Sequence, residues 1–276
     1  MNLFTPAEFT ENYAQAGVKK ASLPIGKMLL LGMLAGFLIA MGGATASTAS
    51  HAITNAGLSK MVSGLLFPFG LGMVILTGAE LFTGNVLINI SVFSGKTGFG
   101  SMLRNWFWVY IGNFLGALLV AAGMAFLGCM NLSGGGFAVS AMKVAAAKSS
   151  LPFMTAVGLG FFCNVLVTIG VLISLGSKDT IGRFIGAYMP VAFFVICGFE
   201  HSIANMYYVP AGIFAASNPA YLALAVKAGV NLANLGWGVF LMGNLLPVTI
   251  GNILGGLAVS FIFWYCYGKT NSSASS

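Results

Sequence analysis

The chain has 276 residues, 58% of them hydrophobic and only 6% charged, with a mean hydropathy of +0.94. A soluble domain carries about 25% charged residues, so 12 basic and 5 acidic side chains cannot cover a water-facing surface of this size. A disordered chain would be poorer in apolar residues. A polytopic membrane protein remains, and its net charge of +7 is scattered singly along the chain, with no basic run to meet nucleic acid.

Residues 1–26 read as a polar, amphipathic N-terminal segment with no cleavable signal pattern. A span needs about 20 apolar residues to cross a ~30 Å hydrocarbon core. Six stretches meet that length: 27–47, an interrupted 62–93, 106–128, 152–175, 184–216 and about 235–267. Residues 268–276 form a polar tail. Six spans put both termini on one side. With the N-terminus inside, inner segments hold Lys19, Lys20, Lys27, Lys96, Arg104, Lys178, Arg183 and Lys269. Outer segments hold Lys60, Lys143, Lys148 and Lys227, and the excess predicts cytoplasmic termini. Trp106, Trp108, Trp237 and Trp264 sit near span ends, where interfacial anchors are expected. The four cysteines show no paired spacing and read as small buried hydrophobes.

The chain repeats itself. VYIGNFLGALLV at 109–120 and VTIGNILGGLAV at 248–259 agree at eight of twelve positions. Glu80–Asn85 and Glu200–Asn205 both read E-x4-N, in spans two and five. Residues 27–128 therefore correspond to 150–267. Three spans per copy is odd, so the second copy enters from the opposite side. The expected fold is an all-α membrane protein of six transmembrane helices in an inverted 3+3 repeat. Its site lies at midplane, where broken helices in spans two and five meet.

The breaks hold the informative side chains. Polar groups in the middle of a span face the protein interior or a wet cavity. Glu80 and Glu200 would repel an anion if they faced its path, which favours a structural role accepting hydrogen bonds from freed backbone over a role in proton coupling. Half-helix N-termini at the breaks would attract anions. His201 is either a satisfied core residue or a group that lends a proton near neutral pH. Lys148 is either an interfacial lysine or a charge at a pore mouth. Phe67, Leu71, Leu81 and Phe194 either pack helices or build a dry constriction.

Taken together, GFEHSIANMYYVPAG at 198–212, AELFTGN at 79–85, NWFWVYIGNFLG and PVTIGNILGG resemble the formate/nitrite transporter family over nearly the whole chain. Within it, the chain most resembles the hydrosulfide-channel branch of anaerobic clostridia. The resemblance implies an aquaporin-like homopentamer in a bacterial inner membrane, with one pore per protomer. It also implies passage of formate, nitrite or hydrosulfide, by an open anion channel or by proton-coupled transport. By motif position, Thr83 and His201 match the central pair and Lys148 the vestibule lysine. Asn164 matches a polar residue near the histidine, and Phe67, Leu71, Leu81 and Phe194 match the constrictions. Glu80, Glu200, Asn85 and Asn205 stand at the breaks as structural residues.

Rival readings lack their signatures. A water channel carries two Asn-Pro-Ala boxes, and here Asn218-Pro-Ala220 occurs once, outside the breaks. An intramembrane hydrolase would need more than Ser202 beside His201. No catalytic residue, metal site or cofactor is expected.

Overall fold

The computed structural model describes residues 3–268. Lys269 and the rest of the polar tail lie outside the described residues. Six helical stretches are long and apolar enough to cross a membrane. A short amphipathic helix, α1 (Pro6–Ala21), precedes them. Thr5 and Glu8 close its first turn with a reciprocal capping box, and Lys19 and Lys20 complement the dipole at its last.

The first half continues with α2 (Ile25–Ser50), α3 (Ala56–Leu66), α4 (Phe69–Thr77), α5 (Phe82–Asn85), α6 (Ile88–Phe93) and α7 (Phe99–Phe126). A glycine-rich turn, Cys129–Gly135, leads to α8 (Gly136–Ser149). The second half continues with α9 (Phe153–Gly176), α10 (Thr180–Cys197), α11 (Ser202–Ala216), α12 (Pro219–Lys227) and α13 (Trp237–Gly268). So α8 stands before the second half as α1 stands before the first.

Glycines set the closest approaches. α2 packs on α7, and a Cβ added at Gly116 would lie 2.0 Å from the Met33 carbonyl oxygen. α9 packs on α13, and a Cβ at Gly251 would lie 2.1 Å from the Val157 oxygen. This backbone-to-backbone packing is the small-residue mode of membrane helices, and it explains why the repeated IGNxLG string keeps its glycines.

Both breaks begin on a left-handed glycine that ends the preceding helix: Gly78 at φ 69° and Gly198 at φ 76°. An L-residue is strained there and glycine is not. The chain stays extended through Leu81 and His201 before helix resumes at Phe82 and Ser202.

Several expectations change. The second span begins at Ala56 and the fifth at Thr180, because polar Ser, Lys and Arg residues join the helix ends that apolar runs miss. α11 is followed by a 99° bend into α12. Trp106 is no interfacial anchor: it is buried, and its indole N–H donates to the Asn85 carbonyl at 2.9 Å. Of the cysteines only Cys163 is buried. Cys197 ends α10 on a face that also exposes Phe193 and Ile196, which the protomer alone does not cover.

Candidate functional site at the two helix breaks

A broken helix leaves backbone donors and acceptors unpaired in an apolar medium, at a cost of several kcal/mol each. Two asparagines from the repeated IGN string meet that need. Asn113 on α7 accepts from the Phe82 N–H at 2.9 Å and donates to the Glu80 and Gly32 carbonyls at 2.9 and 2.8 Å. Asn252 on α13 accepts from the Ser202 N–H at 2.9 Å and donates to the Glu200 and Gly160 carbonyls at 3.0 and 2.8 Å.

The two glutamates are held by side chains. Lys20 at the end of α1 meets the Glu80 carboxylate at 2.7 Å, and Lys148 at the end of α8 meets that of Glu200 at 2.7 Å. Asn85 donates to the second oxygen of Glu80 at 2.7 Å, and Asn205 to that of Glu200 at 2.6 Å. Asn105 ties Asn85 to the Lys20 carbonyl, and Asn244 ties Asn205 to the Lys148 carbonyl. Asn244 sits in the wide turn Phe240–Leu245. Each half thus locks its break with one lysine, one glutamate and three asparagines.

The expected roles shift accordingly. The carboxylates of Glu80 and Glu200 take lysine and asparagine donors, and the freed backbone N–H groups go to Asn113 and Asn252. Phe82 N–H, Ser202 N–H and Ala204 N–H all have partners, so the half-helix N-termini present fewer free donors than the sequence suggests.

The halves differ within the break. The residue after the glutamate is Leu81 in one break and His201 in the other. The His201 Nδ1 accepts from the Ala204 N–H at 3.1 Å, so it keeps its lone pair. The ring proton therefore sits on Nε2, 2.8 Å from the Thr83 hydroxyl oxygen of the opposite break. His201 is a neutral hydrogen-bond donor in this geometry.

A cavity of about 500 Å³ opens beside α3, α8 and α11, lined by His51, Lys60, Lys143, Lys148 and Tyr208 among others. It reaches Phe67, Phe194, Glu200 and His201 at its base. Beyond lies a pocket of about 10 Å³, room for about one water, lined by Phe67, Leu71, Leu81, Phe194 and His201 with Ile39, Val167 and Val191. Phe67 and Phe194 meet edge to face at 5.8 Å, and Phe194 stacks on the His201 ring at 5.8 Å. The four apolar residues singled out from the sequence thus surround the neck beside the histidine.

Thr83 and Asn164 line neither cavity. Thr83 backs the histidine. Asn164, on α9, donates to the Thr83 carbonyl at 3.2 Å and to the Asn252 carbonyl at 2.6 Å, so it braces the break from behind. Sequence reasoning missed Lys20, Asn105, Asn113, Asn244 and Asn252. The signals were present: Lys20-Ala-Ser-Leu-Pro24 matches Lys148-Ser-Ser-Leu-Pro152, and both asparagines of the IGN string occupy one repeat position.

Comparison with known proteins gives the family. The formate/nitrite transporter family model matches residues 7–266. The formate channel FocA of Escherichia coli K12 is 35% identical, over 98% of this chain and 96% of its own length. A probable formate transporter of Methanothermobacter thermautotrophicus is 33% identical, over 96% of this chain and 97% of its own length. A solved pentameric formate channel with formate bound superposes with a TM-score of 0.78 at 32% identity, covering 89% of this chain and 98% of that one. The chain belongs to the formate/nitrite transporter family.

Proposed function

We propose that the chain is a channel for small monovalent anions of weak acids, with formate the first candidate. The observation that carries this reading is the neck: apolar rings close around one neutral histidine whose Nε2–H faces the opposite break. Apolar walls disfavour a hydrated ion. A single N–H donor gives a carboxylate oxygen one partner as it sheds water. Formate comes first because relatives of more than 30% identity carry that substrate in their names. Nitrite and hydrosulfide share its charge and small size. Hydrosulfide, which the sequence resemblance puts first, has no support among these relatives and moves behind formate.

The same reading assembles five copies, as in the solved relative, with one pore in each. It places the chain in a bacterial inner membrane with both termini cytoplasmic, on the excess of inner lysines and arginines. The wide cavity beside α8 is then the outer vestibule. Proton-coupled transport is the alternative. It asks His201 to lend a proton, and a neutral ring can do so only after Nδ1 is protonated, which breaks the bond to the Ala204 N–H.

Anion uptake into proteoliposomes tests the reading, with formate, nitrite, hydrosulfide and chloride under matched gradients and water as control. Formate uptake well above chloride is expected. Fastest hydrosulfide uptake would overturn the substrate order, and water flux without anion flux would overturn the channel.

A further inference from the structure

Resting on the channel reading, the charge of the vestibule can be assigned residue by residue. Lys148 has its partner already: its ammonium lies 2.7 Å from Glu200 and 5.3 Å from the centre of the Tyr208 ring. The pair is close to neutral when seen by an approaching anion. Lys60 and Lys143 line the same cavity, and neither has a carboxylate partner among the described residues. Glu200 is the one carboxylate in the lining. Both lysines are exposed, and Lys60 is the one placed beside the second break. Its ammonium lies 3.1 Å from where a Cβ on Gly198 would be, at the lip of the second break and three residues from His201.

The geometry points to Lys60 as the anion-capture site of the vestibule, in place of Lys148. An exposed ammonium without a carboxylate partner, beside the break and lining the cavity, raises the local concentration of small anions.

The test reads potential without transport. Ser63 lines the same cavity one helical turn from Lys60. In Ser63→Cys protein, an anionic and a cationic methanethiosulfonate of similar size are reacted in parallel, and labelling at position 63 is read by peptide mass spectrometry. The anionic-to-cationic rate ratio should fall about tenfold at low salt on adding Lys60→Gln, recover with Lys60→Arg, and converge at about 0.5 M KCl. A ratio unmoved by Lys60→Gln would overturn the assignment and leave Lys60 as a partner of the α10 C-terminus. Labelling does not depend on which anion permeates, so failure of formate uptake in wild type would count against the channel reading alone. With uptake present, Lys60→Gln should raise half-saturation for formate about threefold at low salt, and the difference should close at high salt.

Discussion

Thr83 and His201 come from opposite halves of the repeat and meet at 2.8 Å between the hydroxyl oxygen and Nε2. Both are fully or nearly fully buried. The threonine oxygen satisfies the histidine's N–H; on the proposed channel reading, an anion in the neck competes with it for that donor.

That competition gives the first prediction. Thr83→Val removes the internal acceptor and leaves a buried donor unsatisfied, a penalty of about 1–3 kcal/mol that an anion would relieve. The variant should hold formate more tightly and release it more slowly. Half-saturation and maximal uptake should both fall by about fivefold, and Thr83→Ser should restore both. Concentration dependence of uptake at matched protein amounts checks this.

The buried ion pairs give the second. Glu80 and Glu200 are 4% and 5% exposed, so removing a lysine leaves a charge in an apolar setting. Loss of one partner of a buried pair costs about 3–5 kcal/mol, less here because the lysine side chains are 25% and 19% exposed. Lys20→Met should lower the thermal midpoint of the purified protein, and Lys20→Met with Glu80→Gln should regain most of the loss. The Lys148 and Glu200 variants should behave alike, since the two networks correspond bond for bond.

Helix contact gives the third. Gly116→Ala places a Cβ 2.0 Å from the Met33 oxygen, and Gly251→Ala places one 2.1 Å from the Val157 oxygen. Each should force the paired helices apart and turn a symmetric size-exclusion peak into aggregate. Gly26→Ala meets nothing within 4 Å and should be silent. Size-exclusion profiles of the three variants separate the cases.

The N-terminal helix gives the fourth. Lys96, in the turn after α6, donates to Glu11 on α1 and holds its carboxyl below the usual glutamate range. A carboxyl whose folded pKa is lowered stabilises above its unfolded value and loses that contribution as pH falls through the folded one. Docking of α1 should therefore weaken as pH drops below about 4. The pair is partly exposed, so the effect is small and salt-sensitive. Hydrogen exchange of α1 at pH 6 and 3.5, corrected for intrinsic rates, should show lower protection at the acid value, and Glu11→Gln should remove most of the difference.

Much of this fold is legible in the sequence because a bilayer leaves few choices. Apolar runs give the spans, and E-x4-N marks both breaks. The repeated IGN string marks the helices that brace them. Lys20 is harder to read: its partner lies 60 residues away, and a lysine ending an amphipathic helix looks like any interfacial lysine. Only the shared K-x-S-L-P string, seen beside Lys148, distinguishes it. The roles of Asn113 and Asn252 depend on which backbone groups the breaks set free. That follows from where Gly78 and Gly198 turn the chain, and no local pattern reports it. The neutrality of the Lys148–Glu200 pair is a matter of a few ångströms, beyond what residue types convey.

The most direct measurement is the reversal potential of purified protein in a planar bilayer under a formate gradient and, separately, a pH gradient. An anion channel with a neutral His201 predicts a shift of about 59 mV per tenfold formate gradient and almost none with pH. A reversal potential that follows the proton gradient, or electroneutral formate uptake with no current, would contradict the channel and make His201 a proton carrier.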